Sequence, residues 1–176
     1  MEAIFKRRSI RKFKEGTIPE EAVTILLKAA MRAPSAGNQQ PWEFIVVRNK
    51  QTMLEMMEFH PYAKMLTEAD CVIIVCGNKS LQKYPYDFWI QDCSAATQNL
   101  LLEATHLGLG AVWLGVYPIE ERVNGTQKLF QLPKDVIPLC AVALGYPAVE
   151  PKAINTYRKD RIHREKWSKQ YYTGDR

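Results

Sequence analysis

The apolar run at residues 71–76, CVIIVC, constrains the fold more than any other segment. It is continuous and rich in β-branched side chains, which predicts a strand that is buried on both faces. Such a strand needs helices that cover the sheet, and apolar residues recur at helical spacing in several segments. The predicted helices span 19–32, 51–58, 87–106 and 119–130, and the other predicted strands span 43–47, 111–116 and 136–144. We therefore predict an α+β fold with a small sheet covered by helices.

The composition suits one domain. The 176 residues are 47% hydrophobic, enough for a buried core, and we predict a single domain over residues 1–176. No apolar stretch reaches the length of a bilayer, and the N-terminus lacks the apolar run of a signal peptide, so we expect a soluble, cytoplasmic protein without a membrane partner. The four cysteines lie in apolar runs without a CxxC pair, and the three histidines lack zinc-site spacing. We therefore expect buried free thiols and no metal site.

Positive charge is concentrated towards the two ends of the chain. The formal net charge is +5, and the basic clusters lie at residues 6–14 and 157–166. This pattern fits a nucleic-acid-binding surface with strongly salt-dependent affinity, or one folded pocket for a phosphate group. The charge distribution alone leaves both alternatives open.

The N-terminal cluster contains the sequence Arg7-Arg8-Ser9-Ile10-Arg11. Arginine presents a planar fork of donors that binds phosphate through charge-assisted hydrogen bonds, and serine adds a short donor. In an extended segment, Arg7, Ser9 and Arg11 lie on one side. A solvated basic helix end is the alternative interpretation of the same residues.

A second motif, PSAGNQQPW at residues 34–42, predicts an ordered loop. Its prolines stiffen the chain, its small residues let a ligand approach the backbone, and its amides offer directional hydrogen bonds. A structural loop with capping side chains is the alternative. The sequence GLG at 108–110 does not indicate a dinucleotide site, because it follows a helix and precedes a strand. Small residues on the 87–106 helix leave two roles open for it, a core helix or a dimer seam.

Five segments in this order resemble the FMN-dependent nitroreductase family, in its short, single-domain form. They are the start Arg-Arg-Ser-x-Arg-x-Phe, the loop Pro-Ser-x-x-Asn-x-Gln-Pro-Trp, the helix over 92–102, the segment GLGAVWLG at 108–115 and the tail DRIHREKW at 160–167. The resemblance covers nearly the whole chain. It implies a nitroreductase-like α+β fold with a small central, mostly antiparallel sheet, and an intertwined homodimer.

The resemblance implies a set of FMN-binding residues. Four N-terminal residues match positions that the family uses on FMN: Arg7, Arg8, Ser9 and Arg11. In the tail, Arg161 matches a residue that returns to the phosphate, with Lys159 as a helper, which would explain two distant basic clusters as one site. Arg11 is the candidate cation for the negative charge that reduced flavin carries at N1/O2.

The loop at residues 34–42 and the predicted strand over 111–116 supply the remaining candidates for FMN binding. The segment that the family contributes from the partner subunit corresponds here to Pro34, Ser35, Ala36 and Asn38. The stretch that lines the flavin ring, where a backbone N–H can meet flavin N5, corresponds to Trp113, Leu114 and Gly115. Each FMN site would therefore be shared between the two subunits.

The implied activity is NAD(P)H-dependent reduction, in which the flavin carries the chemistry and no side chain acts as a nucleophile. NAD(P)H donates a hydride, and a nitroaromatic, quinone or similar planar acceptor then takes the electrons in a ping-pong cycle. GVYP at 115–118 replaces the Glu-Gly pair of longer relatives, which leaves the acceptor open. The segment 84–89 either covers the flavin or simply begins the long helix.

Three other functions stay open at this point. The first is a specialised flavin enzyme of the same fold, such as a dehalogenase, a flavin-cleaving enzyme or a heterocycle oxidase. The second is a flavin-binding redox sensor without turnover. The third, from a different class, is a basic nucleic-acid-binding domain.

Overall fold

The computed structural model describes residues 2–150, 154 and 156–167. The strands are β1 (Phe13–Lys14), β2 (Trp42–Val47), β3 (Cys71–Asn78), β4 (Gly110–Gly115) and β5 (Val136–Pro147). The helices are α1 (Glu2–Lys6), α2 (Glu20–Ala30), α3 (Lys50–Glu55), α4 (Trp89–His106) and α5 (Glu120–Leu129). Short 3-10 turns lie at Ala36–Asn38, Met56–Glu58, Lys64–Thr67, Lys79–Leu81 and Lys159–Arg161.

The five strands form one sheet with β5 at its centre. One edge of β5 pairs with β3, which pairs in turn with β2. The other edge of β5 pairs with β4 over residues 140–145 and with β1 over residues 146–147. All of these strand pairs are antiparallel, and an isolated bridge between Ser9 and Ala111 is parallel. The prediction of a small, mostly antiparallel sheet is confirmed.

The sheet separates two hydrophobic layers. Because side chains alternate along a strand, Ile73 and Val75 of β3 face one layer, whereas Val72 and Ile74 face the other. Helices α2 and α4 cover the first layer, and α3 with the turns that follow it covers the second. Strand β3 is therefore buried on both faces, as its continuous apolar run predicts.

Helix α4 is a core helix. It packs against α2 and against the sheet, and its small residues Ala96, Thr97 and Ala104 are buried. It ends at a glycine cap, where Leu109 N–H donates to the Ala104 carbonyl (2.8 Å) around Gly108, whose φ is +73°. Of the two roles that the sequence left open, these three small residues serve the core, and the GLG sequence is a helix stop.

The predicted helices and strands are all present, with ends that differ by a few residues. Helix α4 begins at Trp89, and β5 continues to Pro147 because the N-terminal segment pairs with its last residues through β1. The sequence did not predict α1 or β1. These elements have five and two residues, too few for a periodic pattern to appear.

The four cysteines are buried free thiols, as predicted. Burial raises the pKa of Cys71 to about 11 and those of Cys76 and Cys140 to about 12, so these thiols stay protonated at neutral pH. Among the residues described above, no helix is both long and apolar enough to cross a membrane. The same residues contain no cluster of three His, Cys, Asp or Glu side chains that could hold a metal ion.

Candidate functional site

The N-terminal segment follows the outer edge of β4. Ser9 forms the parallel bridge with Ala111, and Ile10 N–H donates to the Ala111 carbonyl (2.9 Å). The Ile10 side chain packs against Gly110, where an added Cβ atom would lie 2.8 Å from it. Ser9 and Arg11 are exposed on either side of this isoleucine. From Ser9 onward the segment is therefore extended as predicted, with Ser9 and Arg11 on a common side.

The three arginines of this segment have different surroundings. Arg7 continues α1 rather than the extended stretch, because its N–H donates to the Ala3 carbonyl (2.8 Å). Arg7 is half-buried and Arg11 is exposed, and neither has an ion-pair partner within the described part of the chain. The guanidinium of Arg8 donates to the carbonyls of Phe5 (3.1 Å) and Arg7 (2.6 Å). Arg8 thus closes the end of α1, while Arg7 and Arg11 are available to an anion.

The chain returns to this segment near its end. The Ile154 carbonyl lies 3.4 Å from Nη2 of Arg8. A cavity of about 290 Å³ lies between the two parts of the chain, lined by the segment from Arg8 to Lys12 and by Val149, Glu150 and Ile154. The contact brings Ile154 of the tail to the N-terminal basic cluster.

The basic tail residues lie beyond this contact. Lys159 and Arg161 are exposed in a short 3-10 turn, next to the ion pair of Arg158 and Asp160 (2.9 Å). The return of the chain at Ile154 supports a common site for the two basic clusters. That Lys159 and Arg161 reach a bound phosphate stays a prediction.

The backbone of β4 alternates between its two edges. Val116 N–H donates to the Leu139 carbonyl (3.2 Å), so these two residues form a hydrogen-bonded pair. Such pairs alternate with non-hydrogen-bonded pairs in an antiparallel ladder, and Gly115 and Trp113 are therefore of the second type. Their N–H and C=O groups point away from β5, towards the edge along which residues 9–11 run.

Two side chains from distant parts of the chain meet at the Gly115 carbonyl. His60 Nε2 lies 2.9 Å from this oxygen, and Nη1 of Arg122 donates to it at 2.9 Å. Burial lowers the pKa of His60, and the positive charge of Arg122 lowers it further, so the imidazole is neutral and donates through Nε2–H. Sequence reasoning missed both residues, because neither lies in a motif and 55 positions separate His60 from Gly115.

Gly115 also borders open space. A Cβ atom added here would meet no atom within 4 Å. The half-buried Trp113 packs on the same side of β4, next to the layer of α2 and α4. Leu114 differs from these two residues, because its side chain is buried in the opposite layer and its backbone groups pair with β5. Trp113 and Gly115 can therefore line a ligand at this edge, whereas the Leu114 side chain packs in the core, and that the 113–115 stretch lines a flavin stays a prediction.

A buried carboxylate holds the loop over residues 34–40. Asp92, in the first turn of α4, accepts hydrogen bonds from Ala36 N–H (2.9 Å) and from Gln39 Nε2 (2.6 Å). Gln39 Oε1 accepts in turn from Lys83 N–H (3.0 Å). The prediction of an ordered loop is confirmed. Gln39, one of the three amides offered to a ligand by the sequence, serves the loop itself.

The other loop residues assigned to a ligand differ in whether their polar groups already form hydrogen bonds within the loop. Ser35 Oγ accepts from Gln40 N–H (3.0 Å), and Ala36 uses its own N–H on the α4 carboxylate. Pro34 and Asn38 are exposed. Asn38 has a φ of 53°, a left-handed conformation that asparagine tolerates, and its side-chain amide has no hydrogen-bond partner among the described residues. Among the four loop residues assigned to FMN, Asn38 thus offers a side-chain amide that no described residue binds.

Residues 84–89 pack against this loop. The Tyr84 ring lies beside Gly37, where an added Cβ atom would come within 3.0 Å of it, and it meets Phe88 edge-on at 6.0 Å. Trp89 is buried, begins α4 and meets the Tyr117 ring at 5.1 Å. The segment does begin the long helix, and it forms one surface with the loop.

The loop and the N-terminal segment lie at opposite corners of the sheet. In the strand ladder, Ala111 is level with Leu144 and Cys71. Trp42, which follows the loop, is level with Gly77, six residues further along β3. Six residues along the strands and three strand spacings across them amount to about 25 Å. Within one chain, the two motifs therefore do not face each other.

Comparison with known proteins decides the family. The sequence matches the model of the "Nitroreductase family" over residues 4–63 and 56–146. This chain belongs to the nitroreductase family. A protein of Methanothermobacter thermautotrophicus, provisionally named NADH dehydrogenase/NAD(P)H nitroreductase, is 52% identical to it over 167 residues, which cover 95% of this chain and 87% of the relative.

Solved structures share the fold of this nitroreductase family member. A provisionally named NADH oxidase of Clostridium acetobutylicum is 44% identical with a TM-score of 0.90, and the match covers 94% of this chain and 99% of the other. A provisionally named nitroreductase of Desulfovibrio desulfuricans, solved in complex with FMN, is 30% identical with a TM-score of 0.81 and covers 94% and 96%. The predicted family and its α+β fold are confirmed, which favours the flavin interpretation over a nucleic-acid-binding domain.

Proposed function

We propose that this protein is an FMN-dependent NAD(P)H oxidoreductase. The names of its relatives support this function, as does the FMN bound to one of the similar structures. The observation that carries the proposal is the outer edge of β4. At one end of this edge lies Gly115, whose N–H points outward and whose Cβ side borders open space. At the other end lie the exposed Ser9 and Arg11, and Arg11 has no ion-pair partner within the described part of the chain.

The groups at this edge suit both ends of FMN. A flat ring needs open space beside the strand, close approach to the backbone and a donor for its N5 atom, and Gly115 offers all three. Trp113 would line the ring from the same side. A phosphate needs cationic and hydroxyl donors, which Arg7 and Ser9 offer.

We extend the phosphate end of the site to the tail. Arg8 contacts the Ile154 carbonyl and so connects the tail to the N-terminal segment. Lys159 and Arg161 follow shortly after this contact and would add positive charge beside the phosphate. Arg8 itself would act mainly as a link, because its guanidinium already donates to the end of α1.

When bound, FMN would supply the chemistry of hydride transfer from NAD(P)H and electron transfer to a second substrate. The protein's own groups bind and orient. Gly115 N–H would hold the ring at N5, and Arg11 would stabilise negative charge at the N1/O2 edge. In this proposal no side chain forms a covalent bond to substrate.

The proposal includes a homodimer with shared FMN sites. The 34–38 loop lies about 25 Å from the arginine segment of its own chain, and we therefore assign its contact with FMN to the partner subunit. Ile4 and Phe5 of α1 are 52% and 77% exposed, and a dimer would cover such apolar side chains. A two-fold dimer holds two equivalent sites, each built from both chains.

The proposed acceptor is a planar molecule such as a nitroaromatic or a quinone. Tyr84 and Tyr86 are exposed on the surface that residues 84–89 form with the loop, so in a shared site they would arrive together with it. Aromatic side chains at the entrance favour flat substrates, with which they can stack. Because NAD(P)H and the acceptor would use one exposed face of the flavin, we propose a ping-pong cycle.

The flavin content of the purified protein tests this function. We expect a yellow protein that contains FMN in equimolar amount with the chain. FAD should bind more weakly to flavin-free protein, because arginines grip a terminal phosphate best. A colourless protein that does not take up FMN, or one that prefers FAD, would contradict the proposal.

Steady-state kinetics with NADH and a quinone test the order of events. Parallel double-reciprocal lines are expected if the donor product leaves before the acceptor binds. Intersecting lines would indicate separate sites for the two substrates.

A further inference from the structure

We infer that His60 and Arg122 are positioning residues, which hold Gly115 by its carbonyl so that its N–H faces the flavin ring. The inference rests on the proposed function, because it deepens the role of Gly115 in the same site. Neither residue belongs to the motifs that indicate the family.

Gly115 lies at a point where the backbone needs to be held. It is the last residue of β4, and its outward N–H and C=O groups have no neighbouring strand among those described. Just after it, Val116 and Tyr117 both donate to the Leu139 carbonyl (3.2 and 3.0 Å), a bulge that ends the regular pairing. β5 holds the peptide groups on both sides of Gly115 through Leu114 and Val116, but glycine has the widest conformational freedom of any residue, so β5 alone restricts rotation at Gly115 only weakly.

The Gly115 carbonyl is held from two sides. His60 follows the 3-10 turn at Met56–Glu58, whereas Arg122 lies in α5. Each places a nitrogen 2.9 Å from the same oxygen, and a carbonyl oxygen has two lone pairs to accept them. The carbonyl belongs to the peptide group between Gly115 and Val116, and the N–H to the one between Leu114 and Gly115. With the first group fixed, rotation about the Gly115 backbone bonds is restricted, so the N–H on the same edge keeps one direction.

The two donors are themselves connected. The Arg122 guanidinium lies over the ring of Tyr62, 5.5 Å from its centre, and Tyr62 is two residues from His60. His60 is 2% exposed, and its Nδ1 atom has no hydrogen-bond partner within the described part of the chain. A buried polar atom without a partner destabilises the fold. An apolar ring would avoid this cost, so the hydrogen bond from Nε2 to Gly115 is the reason we assign to the histidine.

Sulfite binding tests the inference, because sulfite adds to flavin N5 and bleaches the flavin absorbance. A donor directed at N5 withdraws electron density from it and favours this addition. In the FMN-loaded protein we expect the sulfite Kd to rise about tenfold in His60→Phe and in Arg122→Met, the change for one lost hydrogen bond. His60→Gln and Arg122→Lys keep a donor and should lie closer to the parent.

Lys128→Met is the matched control, because it removes an exposed positive charge from the same helix as Arg122. Its sulfite Kd should equal that of the parent. If His60→Phe does not fold, Arg122→Met decides the question, since this side chain is only half-buried.

Three results would overturn the inference. The sulfite Kd could stay unchanged in the folded His60→Phe and Arg122→Met proteins, or Lys128→Met could weaken sulfite binding as much as Arg122→Met. Conservative variants no better than the apolar ones would also show that the donors do not matter. A parent that binds no FMN contradicts the proposed function itself, and this is seen before any variant is compared.

Discussion

The polar groups at the two corners of the sheet differ in whether other groups of the protein bind them. At the loop corner, the Asp92 carboxylate and the Gln39 amide bond to each other and to the loop backbone. At the β4 corner, beside Ala111, Arg7 and Arg11 have no ion-pair partner within the described part of the chain, and at the other end of the same strand edge the Gly115 N–H points outward. Buried groups that satisfy each other fix a shape, whereas donors without protein acceptors are available to an anionic ligand.

This difference between the corners explains why the loop and the N-terminal arginine segment do not meet within one chain. The loop corner is preformed and offers its exposed groups, such as Asn38 and Tyr84, to something outside the chain. The β4 corner offers charge and an open strand edge. In the proposed dimer each corner supplies what the other lacks, so damage to either one should remove the same function in different ways.

The largest effect is expected when variants of the two corners are mixed. Arg7→Ala/Arg11→Ala and Ser35→Trp/Asn38→Trp should each lose FMN completely, because every site then lacks one half. Refolded together in equal amounts, they form heterodimers in which one site carries both defects and the other carries none. Bound FMN, measured after gel filtration, should return to about a quarter of the parent value, since half of the dimers are mixed. No recovery despite heterodimer formation would place both corners in one chain's site.

Asp92→Ala should destabilise the loop corner strongly. It leaves two buried donors without an acceptor, so the free energy of unfolding in urea should fall by about 3 kcal/mol. Asp92→Asn keeps one acceptor and should lose roughly half as much. Asp160→Ala is the control, because it removes a carboxylate from an exposed ion pair. An Asp92→Ala protein as stable as this control would show that the carboxylate does not hold the loop.

At the β4 corner, single charge removals should weaken FMN binding without unfolding the chain. Arg7→Ala and Arg161→Ala each remove a charge-assisted contact to phosphate, so the FMN Kd should rise by about one to two decades. Lys28→Ala, on the exposed face of α2, should leave it unchanged. Affinity equal to the parent in both arginine variants would mean that the two basic clusters do not form one site.

Arg11→Met should make the bound flavin harder to reduce, because the reduced ring loses its nearest cation. The two-electron midpoint potential should fall by about 30 mV if the lost stabilisation is about 1.4 kcal/mol. Lys12→Met removes a neighbouring exposed charge and should have a smaller effect. A potential that stays unchanged or rises in Arg11→Met would exclude this residue from the N1/O2 edge.

The smallest effect concerns His60 and pH. Burial lowers its pKa in the folded protein below the ordinary value of 6.5, so the unfolded chain binds the proton more readily. His60 therefore contributes its full share of the free energy of unfolding above the pKa that it has in the unfolded chain, and this share is lost as pH falls through its pKa in the folded protein. The free energy of unfolding changes through this group by at most about 1.4 kcal/mol per pH unit. His60→Gln should remove this part of the slope in urea titrations at pH 5 to 7. A parent and variant with equal slopes would show that His60 does not titrate in this way.

The sequence predicted the elements well because their signals are local. The apolar run of β3, the periodic helices and the glycine after α4 each lie within a few residues of the structure that they indicate. The sequence did not indicate which layer the Leu114 side chain faces. An all-apolar strand such as β4 does not alternate between apolar and polar residues, so its sequence does not tell which side chains face which layer.

Several features of the candidate site depend on contacts between distant parts of the chain. The sequence alone identified Arg7, Ser9, Arg11 and Gly115, because they lie in motifs. Only the tertiary structure joins His60 and Arg122 at one carbonyl, and the direction of that peptide follows from the pairing register with β5. Local propensity acts over one or two turns of chain, whereas register and distant hydrogen bonds are decided by packing of the whole sheet. The sequence by itself thus determined the longer helices and strands, and the tertiary structure decided the short elements α1 and β1 and which polar groups remain free.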